Sequence, residues 1–293
     1  MWVMVVCIVL VLAGLVAVVR WGGLAVELPP APAPGPGPGP GPTYPTDPPP
    51  VGLVVRRYLW YVAVAMASGA TAGILAAGAG GRLVMRLLAV TAGADAQGRI
   101  TEAEEIVGRI TVDGTLGFVV FTGLFLGLPS ATGYLLVRRW LPGGRAAGLV
   151  YGALLLVLAG TRLEPLRRGN PDFDLVGPGW VSVIAFSALV LLHGALVAAM
   201  AGRLSRAVPL LTAQPRTIAA YVPLLLLALP GPLVAVVLIL VGIAVVLLTR
   251  IPSIRAAWHS GRVAAVGRLA LAGTALVAAP GFASALVDIL GRG

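Results

Sequence analysis

Apolar runs about as long as a bilayer is thick, separated by short arginine-bearing connections, decide what this chain can fold into. Residues 1–19 carry no charge and end at Arg20. Similar runs recur at 58–80, 116–137, 146–161, 180–201, 233–248 and 269–287. A helix rises ~1.5 Å per residue, so ~20 apolar residues cross a ~30 Å hydrocarbon core. Backbone amides find no water there, so each run must satisfy its own hydrogen bonds as a helix. Composition agrees: 58% of residues are hydrophobic and 11% charged, against about 25% charged in a soluble domain. A soluble globular fold, a disordered chain and a secreted disulfide scaffold are excluded. The expected fold is an all-α polytopic transmembrane helix bundle in the lipid bilayer.

The span count turns on residues 217–249. They are too long for one crossing and too short for two, and Pro230-Gly231-Pro232 must break them. A short segment to Leu229 and a full span from Leu233 to Leu248 bring the total to seven or eight. The chain divides into an N-terminal membrane anchor at 1–20, a Pro/Gly-rich linker at 21–57, a main bundle at 58–249 and a basic interfacial helix with the last span at 250–293. The anchor lacks the basic start and small-x-small site of a cleaved signal peptide. Twelve of the 24 prolines fall within 29–50, so that stretch reads as a polyproline-like or disordered spacer, closed by Arg56 and Arg57. A ligand for a proline-binding domain is the alternative.

Glycines four apart occur at Gly69 and Gly73 (extended by Ala77), Gly123 and Gly127, and Gly148 and Gly152. In lipid, small residues at this spacing permit close backbone contact, so a tight bundle is expected.

The net charge of +10 invites a nucleic-acid reading. The arginines instead flank apolar spans, as cytoplasmic loops of membrane proteins do. With the linker inside, Arg20, Arg56, Arg57, Arg138, Arg139, Arg145, Arg203, Arg206 and Arg216 lie inside, in short connections nearly free of acids. The outside arginines are matched by acids. Arg255, His259 and Arg262 share one helix face opposite Trp258, an interfacial basic helix expected on the inside. A cytoplasmic linker follows.

Residue inventory excludes most chemistries. All 21 basic residues are arginine, so a P-loop, a Schiff base and an S-x-x-K acyl enzyme are out. Cys7 is the only cysteine, and His193 and His259 stand 66 positions apart. No disulfide, C-x-x-C or H-E-x-x-H exists. No cofactor or metal is expected, and the inventory leans against an enzyme.

Acids concentrate in two loops, 82–114 and 162–179. Arg82 and Arg86 lie one helical turn apart, as on a helix turning onto the membrane surface. Thr101-Glu102-Ala103-Glu104 matches a capping box, predicting a short helix with Glu105 and Arg109 paired at i, i+4. The second loop carries Arg162, Glu164, Arg167, Arg168, Asp172 and Asp174 around the turn Asn170-Pro171-Asp172, with Phe173 as its anchor. Both loops should meet over one face. The candidate polar cap is therefore Arg82, Arg86, Glu102, Glu104, Glu105, Arg109, Arg162, Arg167, Arg168, Asp172 and Asp174. It reads either as a recognition surface or as a self-neutralising solvated one.

His193 falls about ten residues before Arg203, near mid-bilayer, where ionisable groups are functional candidates. A haem ligand or proton relay is one reading. A neutral imidazole bonded to a backbone carbonyl or to a hydroxyl such as Ser187 is the plainer one. Asp288 should reach the interface towards Arg292.

The strings Gly-Arg-Leu-Val-Met-Arg-Leu-Leu (81–88), Thr-Glu-Ala-Glu-Glu-Ile-Val-Gly-Arg-Ile-Thr (101–111) and Asn-Pro-Asp-Phe (170–173) resemble those of a group of uncharacterised multi-pass membrane proteins of high-GC bacteria. The resemblance covers about residues 55–210. It implies a plasma-membrane location and no known activity, so it assigns no residue a role. The expected function is a non-enzymatic membrane partner or scaffold whose extracytoplasmic cap recognises a ligand or another membrane protein. A transporter using His193 and the 230–232 break is the alternative, and an intramembrane enzyme the third.

Overall fold

The computed structural model describes residues 2–30, 48–163, 165–228 and 232–292, without the side chains of 227–228, 232–235 and 259. The spacer reading of 31–47, Glu164, the Pro230-Gly231 break and the His259 side chain lie outside the described residues.

The described residues are helical, with one isolated antiparallel bridge between Ile100 and Ile106. The helices are α1 (Trp2–Trp21), α2 (Val51–Ala72), α3 (Ala79–Thr91), α4 (Val112–Gly117), α5 (Gly123–Val137), α6 (Ala146–Leu158), α7 (Gly179–Ala207), α8 (Pro215–Ala219), α9 (Pro232–Leu248), α10 (Pro252–His259) and α11 (Gly261–Leu290). A π-helical turn, Gly73–Gly78, joins α2 to α3, and another, Phe118–Thr122, joins α4 to α5. Val51–Thr91 and Val112–Trp140 are thus continuous helical spans.

Five spans among the described residues are long and apolar enough to cross a membrane: α1, α2–α3, α4–α5, α7 and α11. Counting the α9–α10 pair, bent by 100° at its break, makes six. The expectation of seven or eight is not met for two reasons. Helix α6 has only 13 residues, ~20 Å of rise. The segment before α9 is a 3-10 helix, Val222–Ala228.

Glycine steps set the packing. A Cβ on Gly73 would fall 1.9 Å from the Gly123 carbonyl oxygen, and one on Gly127 would fall 2.1 Å from that of Gly69. A Cβ on Gly194 of α7 would lie 2.3 Å from Gly152 Cα of α6. The three expected small-residue stripes therefore make two backbone seams, one between the α2–α3 and α4–α5 spans and one between α6 and α7. Helix α1 belongs to the same bundle rather than standing apart as an anchor. Its Gly14 faces Leu196 and Leu75, and Cys7 is buried with Ala79 and Val119.

Two faces result. On the first, Arg145 donates to the Val19 carbonyl at 3.0 Å, and Arg138 to the Val26 carbonyl (3.0 Å) and Tyr61 Oη (3.1 Å). Arg206 meets Glu27 at 2.5 Å and holds its carboxyl below the usual carboxylate range. Arg139 stacks on Trp258, 4.3 Å from the ring centroid. The 250–268 segment thus reaches this arginine face through Trp258, but not as the single interfacial helix expected: extended Ser260 ends α10, so Arg262 lies on α11 and shares no helix face with Arg255. The opposite loop face carries residues 92–111 and 159–178.

Three local expectations change. Helix α2 starts at Val51, so Arg56 and Arg57 lie inside it rather than closing the linker. Arg82 and Arg86 sit on α3, which continues the α2 span instead of turning onto the surface. The predicted helix at 101–110 is absent. Glu104 and the flanking Gly98 and Gly108 have φ of 58°, 82° and 89°, which no right-handed helix accommodates. The chain folds back instead, with Val107 N donating to the Arg99 carbonyl at 2.9 Å and Thr101 N to the Glu105 carbonyl at 2.9 Å. Thr101 Oγ1 accepts from Glu105 N, and Glu105 and Arg109 form no ion pair.

The fully buried Trp60 donates from Nε1 to the Val208 carbonyl at 2.8 Å, tying α2 to the end of α7. Trp60→Phe strands that buried acceptor. We expect a loss of about 1–3 kcal/mol, measured by thermal unfolding in detergent.

Candidate functional site

A cavity of about 970 Å³ runs from the loop face into the bundle. Its floor lies halfway along α7, where His193 is buried (7% exposed). Ser130 of α5 places its Oγ 2.7 Å from His193 Nε2 and 3.0 Å from the Gly127 carbonyl. Tyr151 of α6 donates to the Ser130 carbonyl at 2.5 Å, and its ring meets Tyr134 edge-on at 5.3 Å. The imidazole partner is thus Ser130 rather than Ser187. His193 Nδ1 is buried with no hydrogen-bond partner among the described residues.

The walls are apolar. Leu126 and Phe121 come from the α4–α5 span, Leu155 from α6, Phe186 and Leu189 from α7, Met85 from α3 and Met4 from α1. Both π turns border the cavity, through Ala77 on one and Phe118, Phe121 and Thr122 on the other. Such turns concentrate at functional sites because the extra residue reshapes the local surface.

The mouth is charged. Of the expected cap, Arg82, Arg86, Glu102, Glu105, Arg109 and Asp172 line the cavity. Arg82 Nε donates to Thr115 Oγ1 at 3.3 Å and its guanidinium lies 5.8 Å from the Phe118 ring centroid. Arg86 Nη1 donates to the Gly108 carbonyl at 3.4 Å. None of Arg82, Arg86 and Arg109 has an ion pair among the described residues. Two of the three lining acids are engaged: Glu102 pairs with Arg167, and Asp172 Oδ1 accepts from Glu102 N at 2.8 Å. Those contacts bring the two loops together over one face, as expected.

The other five cap residues do not line the cavity. Glu104 sits exposed at the fold-back turn. Arg162 donates to the Leu158 carbonyl at 2.8 Å, and Arg167 bridges the loops. Arg168 pairs with Asp288, and Arg292 with Asp174 at 3.6 Å. Asp288 therefore meets Arg168 rather than Arg292. Phe173 is the anchor its position suggested. It is 3% exposed, in a cluster with Leu88, Leu166, Phe186 and Ile289.

The floor has the spacing of a nucleophile–base pair. Acyl transfer also needs preorganised donors for a developing oxyanion. Ser130 and His193 both lie within helices, where neighbouring N–H groups are committed, and the lining brings no cation to that depth. Among the described residues, no three His, Cys, Asp or Glu side chains could hold a metal ion.

Sequence reasoning missed Ser130, Gly133 and Tyr151 because each looks like an ordinary small or aromatic residue of an apolar run. The short G-x-x-S string at 127–130 was the one local signal. No protein-family model, curated protein or solved structure matches the chain.

Proposed function

We propose that this chain is a non-enzymatic recognition protein of a bacterial plasma membrane, with the linker cytoplasmic and the loop face outside. Its cavity binds a ligand bearing an anionic group. The carrying observation is a set of three arginines, Arg82, Arg86 and Arg109, without acidic partners at the mouth of a deep apolar cavity. Such sites place a few polar groups to orient a ligand whose bulk is held by apolar walls, and guanidinium forks suit phosphate and carboxylate. The arginine face, with its short acid-poor connections, supports the cytoplasmic assignment. The group of high-GC bacterial membrane proteins that the strings at 81–88, 101–111 and 170–173 resemble fits the same location.

Binding is favoured over passage because the cavity closes beside His193, at Gly133 and Tyr151, and no described residue of the arginine face lines it. No described residue of 215–250, where a transport path would break, lines it. The full chain in neutral detergent tests the proposal, with inorganic phosphate and dodecyl phosphate as probes. At one hundred times Kd a ligand adds about 2.7 kcal/mol, so at least one probe should raise Tm by about 5–10 °C. Arg82→Gln with Arg86→Gln should abolish the rise. No rise with either probe overturns the proposal.

A further inference from the structure

We infer that the ligand is a lipid of the loop-face leaflet, standing in the cavity with its anionic headgroup on Arg82 and Arg86 and an acyl chain directed at His193. It enters sideways between α5 and α6. The inference rests on the binding reading above and adds the ligand class and route.

Depth carries the first part. The cavity's stripe on the α4–α5 span runs from Gly114, at the charged mouth, to Gly133, 19 residues or ~28 Å of helix. One leaflet with its headgroups is ~20–22 Å thick. The floor lies halfway along the 29-residue α7, at the bilayer midplane. A soluble anion needs no apolar shaft reaching that depth, whereas a lipid needs this length. Charge is ordered in the same way. The lining arginines all sit at the headgroup end, and the shaft below them is apolar apart from Thr122 until the polar Ser130–His193 pair at its end.

The route follows from exposure. Helices α5 and α6 meet through Tyr134 and Tyr151 at the floor. Above that contact the cavity lies between them, and three of its lining residues face outward: Phe121 (71% exposed), Leu163 (65% exposed) and Pro129. All three are apolar, so the gap opens on hydrocarbon rather than on water. A lipid can pass from the leaflet without dragging its chain through the aqueous phase, at ~0.8 kcal/mol per exposed CH₂.

The test is native mass spectrometry of the full chain released from nanodiscs of phosphatidylglycerol and phosphatidylcholine in equal amounts. One phosphatidylglycerol per chain is expected, enriched at least tenfold over phosphatidylcholine. Arg82→Gln with Arg86→Gln should cut that enrichment at least tenfold. Thr122→Trp with Ala159→Trp, which fills the shaft, should remove the lipid while unfolding stays cooperative. If that filled variant unfolds, Thr122→Phe alone serves, with at least a threefold loss expected. Lipid retained in the filled variants, or equal binding of both lipids, overturns the inference. A Tm rise with inorganic phosphate but no bound lipid also overturns it and leaves the binding proposal standing. Failure of every probe removes both.

Discussion

Gly73→Val should cost at least about 3 kcal/mol and lower Tm by roughly 6–12 °C. A Cβ there meets the Gly123 carbonyl oxygen at 1.9 Å, its carbon at 2.7 Å and Gly127 Cα at 3.0 Å. All three are backbone atoms of a helix, so no side-chain rotation relieves the overlap and the two spans must separate. Separation forfeits the close packing that replaces hydrophobic drive in lipid. It also pulls apart the two π turns that border the cavity, so ligand stabilisation should fall together with Tm. Gly273→Ala is the control. Its Cβ meets nothing within 4 Å on the exposed face of α11, and alanine in a helix gains about 0.5–1 kcal/mol over glycine. Gly273→Ala should therefore hold or raise Tm. Equal losses from both substitutions would mean that the Gly73 seam is not what holds the spans together.

The seam was legible in the sequence because it needs only spacing. Glycines four apart on two runs lie on one stripe of each helix, whatever the rest of the fold does. The grouping of arginines was legible too, since charge near a span end reports a face and not a contact. What failed depended on local backbone geometry. Thr101-Glu102-Ala103-Glu104 satisfies a capping pattern, yet left-handed Gly98, Glu104 and Gly108 turn the chain back on itself. Arg82 and Arg86 looked like the start of a surface turn because charge follows an apolar run. In the structure the helix simply outlasts its apolar part: half-buried Arg82 meets Thr115 and Phe118, and Arg86 meets the Gly108 carbonyl of the first loop. The span count failed where length alone decides. Helix α6 is short, but its Gly148 and Gly152 lock it onto α7.

The site was legible in halves. Unequal placement of acids pointed to the two loops, and counting back from Arg203 put His193 at mid-bilayer. Nothing in the sequence joined them. The connection is a space left where α5 and α6 diverge above Tyr134 and Tyr151. A void has no sequence signature of its own, and Ser130 stands 63 positions from the imidazole it meets.

Phe173→Ala should uncouple the cap from the bundle. Phe173 is the buried plug of the second loop, and removing a buried phenyl ring costs about 3–5 kcal/mol. That energy holds the turn Asn170-Pro171-Asp172 over the cavity, where Asp172 accepts from Glu102 N and Arg167 reaches the Glu102 carboxylate. The two polar contacts are exposed and worth about 1 kcal/mol or less each, so they position the loops without anchoring them. Amide exchange at 98–107 and 166–176 should accelerate at least 100-fold in Phe173→Ala, while α2 and α5 keep their protection. Glu102→Gln, which loses only the ion pair, should accelerate exchange less than tenfold. The difference matters for function because Arg86 is held by the Gly108 carbonyl of the first loop. When the second loop lifts, the first loses its partner and the arginine mouth spreads, so ligand stabilisation should drop in Phe173→Ala although every lining arginine remains. Unchanged exchange in both loops would show that the first loop is held by α3 alone and that the cap does not act as one unit.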